Sequence, residues 1–403
     1  MTADGDRRWL DAPVESGRRA GFGVYLHVPF CRHRCGYCDF ATEAVGDEPD
    51  AELFDRYVDA LSTDLAGQAR RTPGGPTAEH TGDWPTVTSI FIGGGTPTLL
   101  GGDRLAVILA QVRDELAVAD DAEITVECNP ETASPALFDA LVAAGVTRVS
   151  MGAQSFTPAV LETLERGHDP QVPPAAVAMA RQAGIPAVSL DLIYGTPGET
   201  PDAWANSLAT ALATGIDHLS AYALTVHPNT PFGRAVAAGT QPDVDDDRQR
   251  DDFEDARATL AAAGFDHYEV SNFARDAARR SAHNVLYWRH GDYLAAGVGA
   301  HGHLDGARWW MTRSTSRYLA ALESGAVPVA GSEQLSDDER AVERLMLGLR
   351  VREGLHPHDL PPLHPLALER VLDAGLLEFA CGRLRATADG WFLLDRAVTE
   401  LLA

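Results

Sequence analysis

Short apolar runs alternate with longer amphipathic segments from residue 24 to residue 224 of the chain. The short runs predict strands, and the longer segments, in which apolar residues recur at helical spacing, predict helices. Strands are expected at 24–28, 87–92, 123–127, 147–152, 187–192 and 218–224. Helices are expected between them, at 52–69, 103–118, 135–144, 158–164, 173–183 and 202–213.

This alternation is typical of βαβ units, in which parallel strands are joined by right-handed helical crossovers. The fold class predicted from it is α/β. Six strand–helix units suit a partial (β/α)6 barrel. A doubly wound open sheet is the alternative, because periodicity alone does not distinguish the two architectures.

The pattern changes at Ser336, where a smaller C-terminal part begins. Helices are expected there at 337–350, 366–374 and 397–402, with a short wing hairpin at 384–394 around Asp389 and Gly390. Upstream, the Pro- and Gly-rich stretch 71–83 predicts a surface loop. The acidic run 243–247 is typical of a linker or of a helix N-terminus.

These changes of pattern divide the chain into four parts. They are an N-terminal tail at 1–21, a strand–helix domain at 22–240, a connecting region at 241–335 and a C-terminal domain at 336–403.

Composition limits the classes of function. An apolar content of 45% over 403 residues supports a substantial core, and no apolar run approaches the length of a membrane span, so any membrane contact should be peripheral. The net charge of −25 disfavours binding to nucleic acid, which depends on neutralising phosphates. The chain contains no lysine, which excludes Schiff-base chemistry and a Walker A lysine.

Three of the five cysteines, Cys31, Cys35 and Cys38, form a C-x3-C-x2-C motif directly after the first predicted strand. Thiolates are the ligands that iron–sulfur clusters prefer, and three of them on a four-iron cluster leave one iron open to a small molecule. The alternatives are a zinc site completed by His33 and a disulfide with one spare thiol, but no second cysteine pair completes a zinc tetrahedron. So few cysteines argue against a disulfide framework and favour a reducing cytoplasm.

The stretch from Tyr25 to Phe40, which contains this motif, resembles the radical S-adenosylmethionine (SAM) superfamily. More narrowly, it resembles the branch that holds the oxygen-independent coproporphyrinogen III oxidases and the HemW-like haem chaperones. The resemblance runs from about residue 22 to the C-terminus and implies a partial (β/α)6 radical-SAM barrel with a winged-helix-like C-terminal domain. It also implies a [4Fe–4S] cluster on the three cysteines, SAM cleaved reductively at the open iron, and an electron donor such as flavodoxin or ferredoxin.

The same resemblance implies which residues contact SAM. A glycine-rich turn with Gly94, Gly95 and Thr96 would bond the amino group, because glycines allow close backbone approach. Carboxylates would bind the ribose hydroxyls and the amine, and an arginine would bind the SAM carboxylate. The remaining positions that match the family pattern are Tyr25, Tyr37, Glu127, Gln154, Arg166, Asp191 and Thr225. The alternatives are an ordinary tight turn at the glycines and a structural ion pair between Arg166 and Glu127.

Two functions of different classes share this apparatus: oxidative decarboxylation of coproporphyrinogen III and transfer of haem to an acceptor protein. Phe40 stands where the oxidases carry a further cysteine. The oxidases also have a longer N-terminal extension, whereas only about twenty residues precede the first strand here. The run from His283 to Trp288 matches the H-N-x-x-Y-W signature of the haem-binding branch. We therefore expect a haem chaperone with His283 as candidate axial ligand, His301 and His303 as rivals, and the oxidase as the alternative.

Overall fold

The computed structural model describes residues 21–70 and 84–402. All of the predicted tail except Gly21, and the predicted loop 71–83, lie outside these residues. The strands are β1 Phe22–Val28, β2 Phe30–Cys31, β3 Glu43–Ala44, β4 Val87–Gly94, β5 Val118–Cys128, β6 Arg148–Gln154, β7 Ala187–Tyr194, β8 His218–Ala223, β9 Asp266–Glu269, β10 Asn272–Ala274, β11 Asp292–Ala296, β12 His301–Leu304, β13 Ala307–Met311, β14 Val329–Gln334, β15 Leu377–Ala380 and β16 Arg383–Ala386.

The helices alternate with the strands in the first half of the chain and follow them at the end. They are α1 Ala51–Ala69, α2 Gly102–Glu115, α3 Pro135–Ala143, α4 Pro158–Thr163, α5 Val172–Ala183, α6 Pro201–Ala213, α7 Pro231–Ala237, α8 Asp246–Ala262, α9 Ala282–Trp288, α10 Thr315–Glu323, α11 Asp337–Gly348, α12 Pro365–Asp373 and α13 Leu394–Leu402. Within the described ranges, no helix combines the length and the apolarity that crossing a bilayer requires.

The six predicted strands correspond to β1, β4, β5, β6, β7 and β8, and they pair in parallel in that order. A doubly wound sheet would reverse its strand order at one point, whereas this order never reverses. With right-handed crossovers throughout, the connecting helices all fall on one face of the sheet. The predicted α/β fold with a partial barrel is thus confirmed.

The two faces of the sheet differ in polarity. Side chains of one face, such as Val24, Ile92 and Val126, are completely buried in one core with residues of the surrounding helices. The alternating positions carry polar side chains, among them Glu127 and its register partner Ser150. Parallel sheets covered on both faces are apolar on both, so a polar face indicates the interior of a barrel that receives a ligand.

The connecting region does not stand apart from the sheet. Strands β9 and β10 extend it beyond β8, while β11 pairs in parallel with β1 and leads to the antiparallel strands β12, β13 and β14. The acidic run begins α8, because the Asp245 carboxylate accepts hydrogen bonds from the backbone of Asp247 and Arg248. Of the two interpretations of that run, the helix N-terminus is therefore confirmed.

The C-terminal part contains α11, α12, α13 and one hairpin, as the winged-helix pattern predicts. The hairpin joins β15 to β16 through Cys381 and Gly382, so the predicted position at 384–394 is wrong. Gly390 instead packs so closely on the Leu376 carbonyl that a side chain there would clash. Its amide donates to the Thr387 hydroxyl at 2.9 Å. This segment continues into α13 and does not form a turn between two strands.

A buried ion pair ties the interior face to α9. Arg148 Nε donates to Glu123 Oε2 at 3.1 Å, and both side chains are almost completely buried. The second oxygen of Glu123 accepts from the Ala282 amide at 2.8 Å, at the start of α9. Arg148 also donates to the carbonyl of Arg279 at 2.7 Å, so one pair fixes the chain that leads into this helix.

Arg148→Met should destabilise the fold by about 3–5 kcal/mol, because it leaves the Glu123 carboxylate buried without a cation. Urea denaturation followed by far-UV circular dichroism measures the change. Arg56→Met, which removes the exposed pair with Glu323, is the matched control and should leave the midpoint unchanged. Equal midpoints for both variants would contradict a structural role for the buried pair.

Candidate functional site

The three motif cysteines lie in a loop that short strands close at its base. Phe30 pairs with Glu43 and Cys31 with Ala44, which makes β2 and β3 the two ends of this loop. The Cys38 amide donates to the Cys35 carbonyl at 3.1 Å and gives the loop a tight turn between two thiols. All three cysteines are free and half-buried.

The surroundings of the thiols fit an iron–sulfur cluster. Arg166 Nη1 donates to Cys35 Sγ at 3.5 Å, and the Thr96 hydroxyl donates to Cys31 Sγ at 3.8 Å. Burial raises the pKa of Cys31 to about 11 and also raises the pKa of Cys38, and the neighbouring thiols contribute in the same direction. Three soft donors that influence one another, with a cation and a hydroxyl beside them, are what a thiolate-bound cluster requires.

The glycine-rich turn follows β4 at the edge where the cysteine loop lies. Gly94 has a φ of 110°, and a side chain on it would clash with the ring of His27. A Cβ on Gly95 would stand 2.7 Å from the carbonyl oxygen of Phe30. Glycine is therefore required at both positions by close packing, and the turn lies directly against the backbone that precedes Cys31.

His27 lies within the motif segment, between Tyr25 and Cys31, and was not among the predicted site residues. Its Nε2 donates to the Ala41 carbonyl at 3.0 Å, so its Nδ1 accepts from the Tyr25 hydroxyl at 3.0 Å. Burial lowers the pKa of His27 to about 4 and keeps the imidazole neutral. This one ring connects β1, the glycine-rich turn and the end of the cysteine loop.

Two carboxylates face the interior of the barrel, and neither is bonded to a cationic side chain among the described residues. The Gly94 amide donates to Glu127 Oε2 at 2.8 Å, and the Ser150 hydroxyl donates to Asp191 at 3.0 Å. Burial raises the pKa of Glu127 to about 7, with a further contribution from the charge of Asp191. Burial likewise raises the pKa of Asp191 to about 6. The predicted strand at 187–192 placed Asp191 at the strand end. In the structure β7 continues to Tyr194, so Asp191 lies inside the strand.

Arg166, in the segment after α4, contacts the loop that carries the three motif cysteines, which we call the cluster loop. Its Nη2 donates to the Gly152 carbonyl at 2.7 Å. The alternative interpretation was a structural ion pair with Glu127, but among the described residues the guanidinium bonds Cys35 instead. The Nε of this guanidinium is buried and has no partner among the described residues. Gln154 ends β6 with a φ of 62°, and its amide lies so close to Gly152 that a side chain there would clash. An unpartnered cationic donor beside the motif cysteines fits an anionic group such as the SAM carboxylate.

Tyr37 and Thr225 are the two remaining predicted contacts. Tyr37 lies in the cysteine loop, where burial raises the pKa of its hydroxyl. Thr225 is exposed on the loop after β8, and its hydroxyl donates to the Ala223 carbonyl at 3.4 Å. Tyr37 therefore joins the cluster loop, whereas Thr225 makes no bond to the other predicted contacts.

His283 is a buried residue at the start of α9. Its two ring nitrogens bond the Ser89 hydroxyl at 3.0 Å and the Tyr287 hydroxyl at 2.9 Å. Burial lowers the pKa of His283 to about 3. In this arrangement neither nitrogen is free for a haem iron, so a ligand role for His283 would require the bond to Tyr287 or to Ser89 to break.

The two rival histidines on β12 differ from each other. His303 is buried, with Nδ1 donating to the Gly291 carbonyl at 3.2 Å and Nε2 without a partner among the described residues. His301 is exposed, and its ring stacks on that of Trp310 with centroids 5.9 Å apart. Of the three histidines considered as haem ligands, His301 is the one whose imidazole lies at the surface.

Comparisons with known proteins show to which families the chain is similar. Residues 25–211 match the family model of the radical SAM superfamily, and residues 335–393 match the HemN C-terminal domain. The chain is 43% identical to the heme chaperone HemW of Mycobacterium tuberculosis over 94% of its own length and 95% of that protein. It is 31% identical to the heme chaperone HemW of Bacillus subtilis, over 92% of its length and 96% of the relative.

Among solved structures, the coproporphyrinogen III oxidase HemN of Escherichia coli, described as a radical SAM enzyme, has a similar fold. The TM-score is 0.78, with 21% sequence identity over 98% of this chain and 93% of the oxidase. Identity at this level shows a shared fold alone.

Replacing Cys31, Cys35 or Cys38 by alanine should abolish the broad visible absorption of the anaerobically reconstituted chain, because three thiolates are the fewest that leave one iron open. Iron and sulfide analysis accompanies the spectrum. Cys128→Ala is the matched control, since this buried thiol bonds the Asn129 carbonyl and the Thr132 hydroxyl and not the motif cysteines. A normal cluster in all three motif variants would refute the assignment.

SAM affinity should fall as the pH is lowered from 8 to 6, because the raised pKa values of Glu127 and Asp191 place their protonation in this window. Calorimetry on the reconstituted chain measures it. Glu127→Gln should cost about 1.5–3 kcal/mol of binding at pH 8 and flatten the pH profile, since a carboxylate acceptor is lost. Glu323→Gln, at an exposed site, should leave affinity and profile unchanged, and the same profile in both variants would assign Glu127 a structural role.

Proposed function

Because the chain belongs to the HemW family within the radical SAM superfamily, we propose that it is a haem chaperone, which binds haem and passes it to an acceptor protein. The observation that carries the proposal is the 43% identity with the Mycobacterium tuberculosis chaperone over nearly the whole of both chains. The family resemblance predicted from the cysteine motif is confirmed by the same finding. The fold alone does not decide the function, since the Escherichia coli oxidase shares it.

Membership of the superfamily implies a [4Fe–4S] cluster and SAM. The bound cluster and SAM would supply one-electron reductive chemistry. Cys31, Cys35 and Cys38 would hold the cluster. Arg166, whose Nε is buried without a partner among the described residues, would bind the SAM carboxylate.

The rest of the SAM site would come from the interior face. The carboxylates of Glu127 and Asp191 would accept hydrogen bonds from ribose hydroxyls and the amine, and both attract a cationic ligand. Tyr25 would be held in position by its bond to His27. Gly95, which cannot carry a side chain here, lets the glycine-rich turn pack directly against the backbone of Pro29 and Phe30, which leads into the cysteine loop.

Oxygen-independent decarboxylation of coproporphyrinogen III is the alternative function. Phe40 occupies the place of the additional cysteine that the oxidase pattern carries, and its side chain is 61% exposed beside the cluster loop. An exposed phenylalanine cannot ligate a cluster or carry a redox-active thiol. This residue therefore favours the chaperone over the oxidase.

The partners follow from charge and accessibility. The half-buried thiols leave the cluster loop accessible to an electron donor such as flavodoxin or ferredoxin. The net charge of −25 disfavours nucleic acid as a partner. We place the protein in the cytoplasm, where thiols stay reduced, with at most peripheral membrane contact while haem is handed to the acceptor.

The purified full-length chain should bind haem at about one per chain, as its family membership implies, and titration followed at the Soret band measures the stoichiometry. Offered coproporphyrinogen III with cluster, SAM and reductant present, it should release no protoporphyrinogen IX. The Cys31→Ala variant, which lacks a cluster ligand, is the background control for that assay. Decarboxylation at the rate of an authentic oxidase, measured in parallel, would exclude the chaperone function.

A further inference from the structure

The interior face of the sheet continues past the candidate SAM site to an exposed histidine. Tyr25 is the register partner of Ala295 on β11, and Tyr293 on the same strand is the partner of His303 on β12. His301, two residues before His303, therefore points from the same face as Tyr25. With neighbouring strands 4.7–4.9 Å apart, the two backbones are about 10 Å from each other.

An aromatic surface supports this imidazole. His301 is paired with Trp310 on β13, and Trp310 is paired with Gly331 on β14. A side chain on Gly331 would clash with the indole, so the glycine lets the ring lie flat against the sheet. The His301 and Trp310 rings are inclined by only 21°, which makes them a stacked pair at the edge of the sheet.

A cation near His301 connects this pair with the end of the cluster loop, where an apolar side chain is exposed. Arg313 follows β13, is exposed, and donates from Nη2 to the Asp39 carbonyl at 2.6 Å, which brings it to the end of the cluster loop. Among the described residues it makes no ion pair, although the chain is strongly acidic. Phe40, the next residue after Asp39, is 61% exposed, so it offers a large apolar side chain at the end of the cluster loop.

We propose that haem docks on this surface, with His301 as axial ligand to the iron, the Trp310 indole stacked on that imidazole to hold it upright to the porphyrin, Phe40 against the porphyrin plane, and Arg313 on a propionate. The proposal rests on the haem-chaperone function and assigns its binding site. Haem is a flat apolar disc with one metal and two carboxylates. The surface offers one imidazole, two aromatic side chains and one cation without an ionic partner among the described residues, which match these groups in kind.

The other histidines considered for this role are less suited. His283 bonds hydroxyls through both nitrogens, and His303 is buried with its ring against that of His290, which bonds Glu343 of α11. His301 is exposed and makes its ring contact with Trp310, and partial burial with the charges of Arg313 and Arg308 lowers its pKa, which favours the neutral imidazole. A neutral imidazole is the form that coordinates a metal.

The test titrates hemin into the purified full-length chain and its variants. His301→Ala should weaken binding by about tenfold or more and shift the Soret band, because the iron loses an axial ligand. Trp310→Leu should weaken binding without shifting the band. His358→Ala, which removes another exposed histidine in the C-terminal part, is the matched control and should change neither measurement.

The cation is tested with a second probe. Arg313→Gln should weaken hemin binding but leave the affinity for hemin dimethyl ester unchanged, because the ester has no carboxylate to lose. Arg313→Lys should recover most of the hemin affinity. Equal losses for both probes would overturn the assignment of Arg313 to a propionate.

The outcomes separate the site from the function. If the wild-type chain binds no haem, the proposed function itself fails. If the wild-type chain binds haem and His301→Ala keeps its affinity and its Soret band, this site is wrong and the chaperone function stands. A band shift in His283→Phe but not in His301→Ala would place the iron at α9. A change of oligomeric state in Phe40→Ser, with unchanged haem affinity, would assign the surface to a second copy of the chain.

Discussion

The alternation of side chains across the parallel sheet is the constraint on which the rest of the molecule depends. Every second residue of β1 and of β4 to β8 contributes to one apolar core with the helices, which leaves the other residues facing inward. Several of these are polar, and they include Glu127 and Asp191, whose pKa values burial raises. Carboxylates held in this way are costly without a cation, so the same pattern that stabilises the fold prepares its interior for a charged ligand.

The cluster loop depends on close packing at the open end of this interior. His27 joins Tyr25 to the Ala41 carbonyl, and its ring fills the space that a side chain on Gly94 would need. Arg166 bonds a cysteine thiol and the Gly152 carbonyl, so it connects the loop with β6. The strands β1 and β6 and the cysteine loop are thus held by shared contacts, and a change in one alters the position of the other.

The segment that carries the haem signature has a structural task. The Glu123 carboxylate, paired with Arg148, accepts hydrogen bonds from the first amides of α9 and fixes His283 between Ser89 and Tyr287. Residues of the signature therefore brace the interior of the barrel, while the exposed imidazole lies on β12. A motif shared by a branch of a family identifies that branch, whether or not its histidine touches the ligand.

The sequence by itself determined the strand–helix alternation, the cysteine motif, the family and most candidate SAM contacts, because each depends on spacing within a short segment. It could not place β9 to β14 in the same sheet, since pairing between distant strands leaves no local pattern. Nor could it separate His283 from His301, because hydrogen bonding and exposure arise only when remote residues meet. The hairpin was misplaced for a similar reason, as Gly390 packs against Leu376, which comes before β15 in the chain.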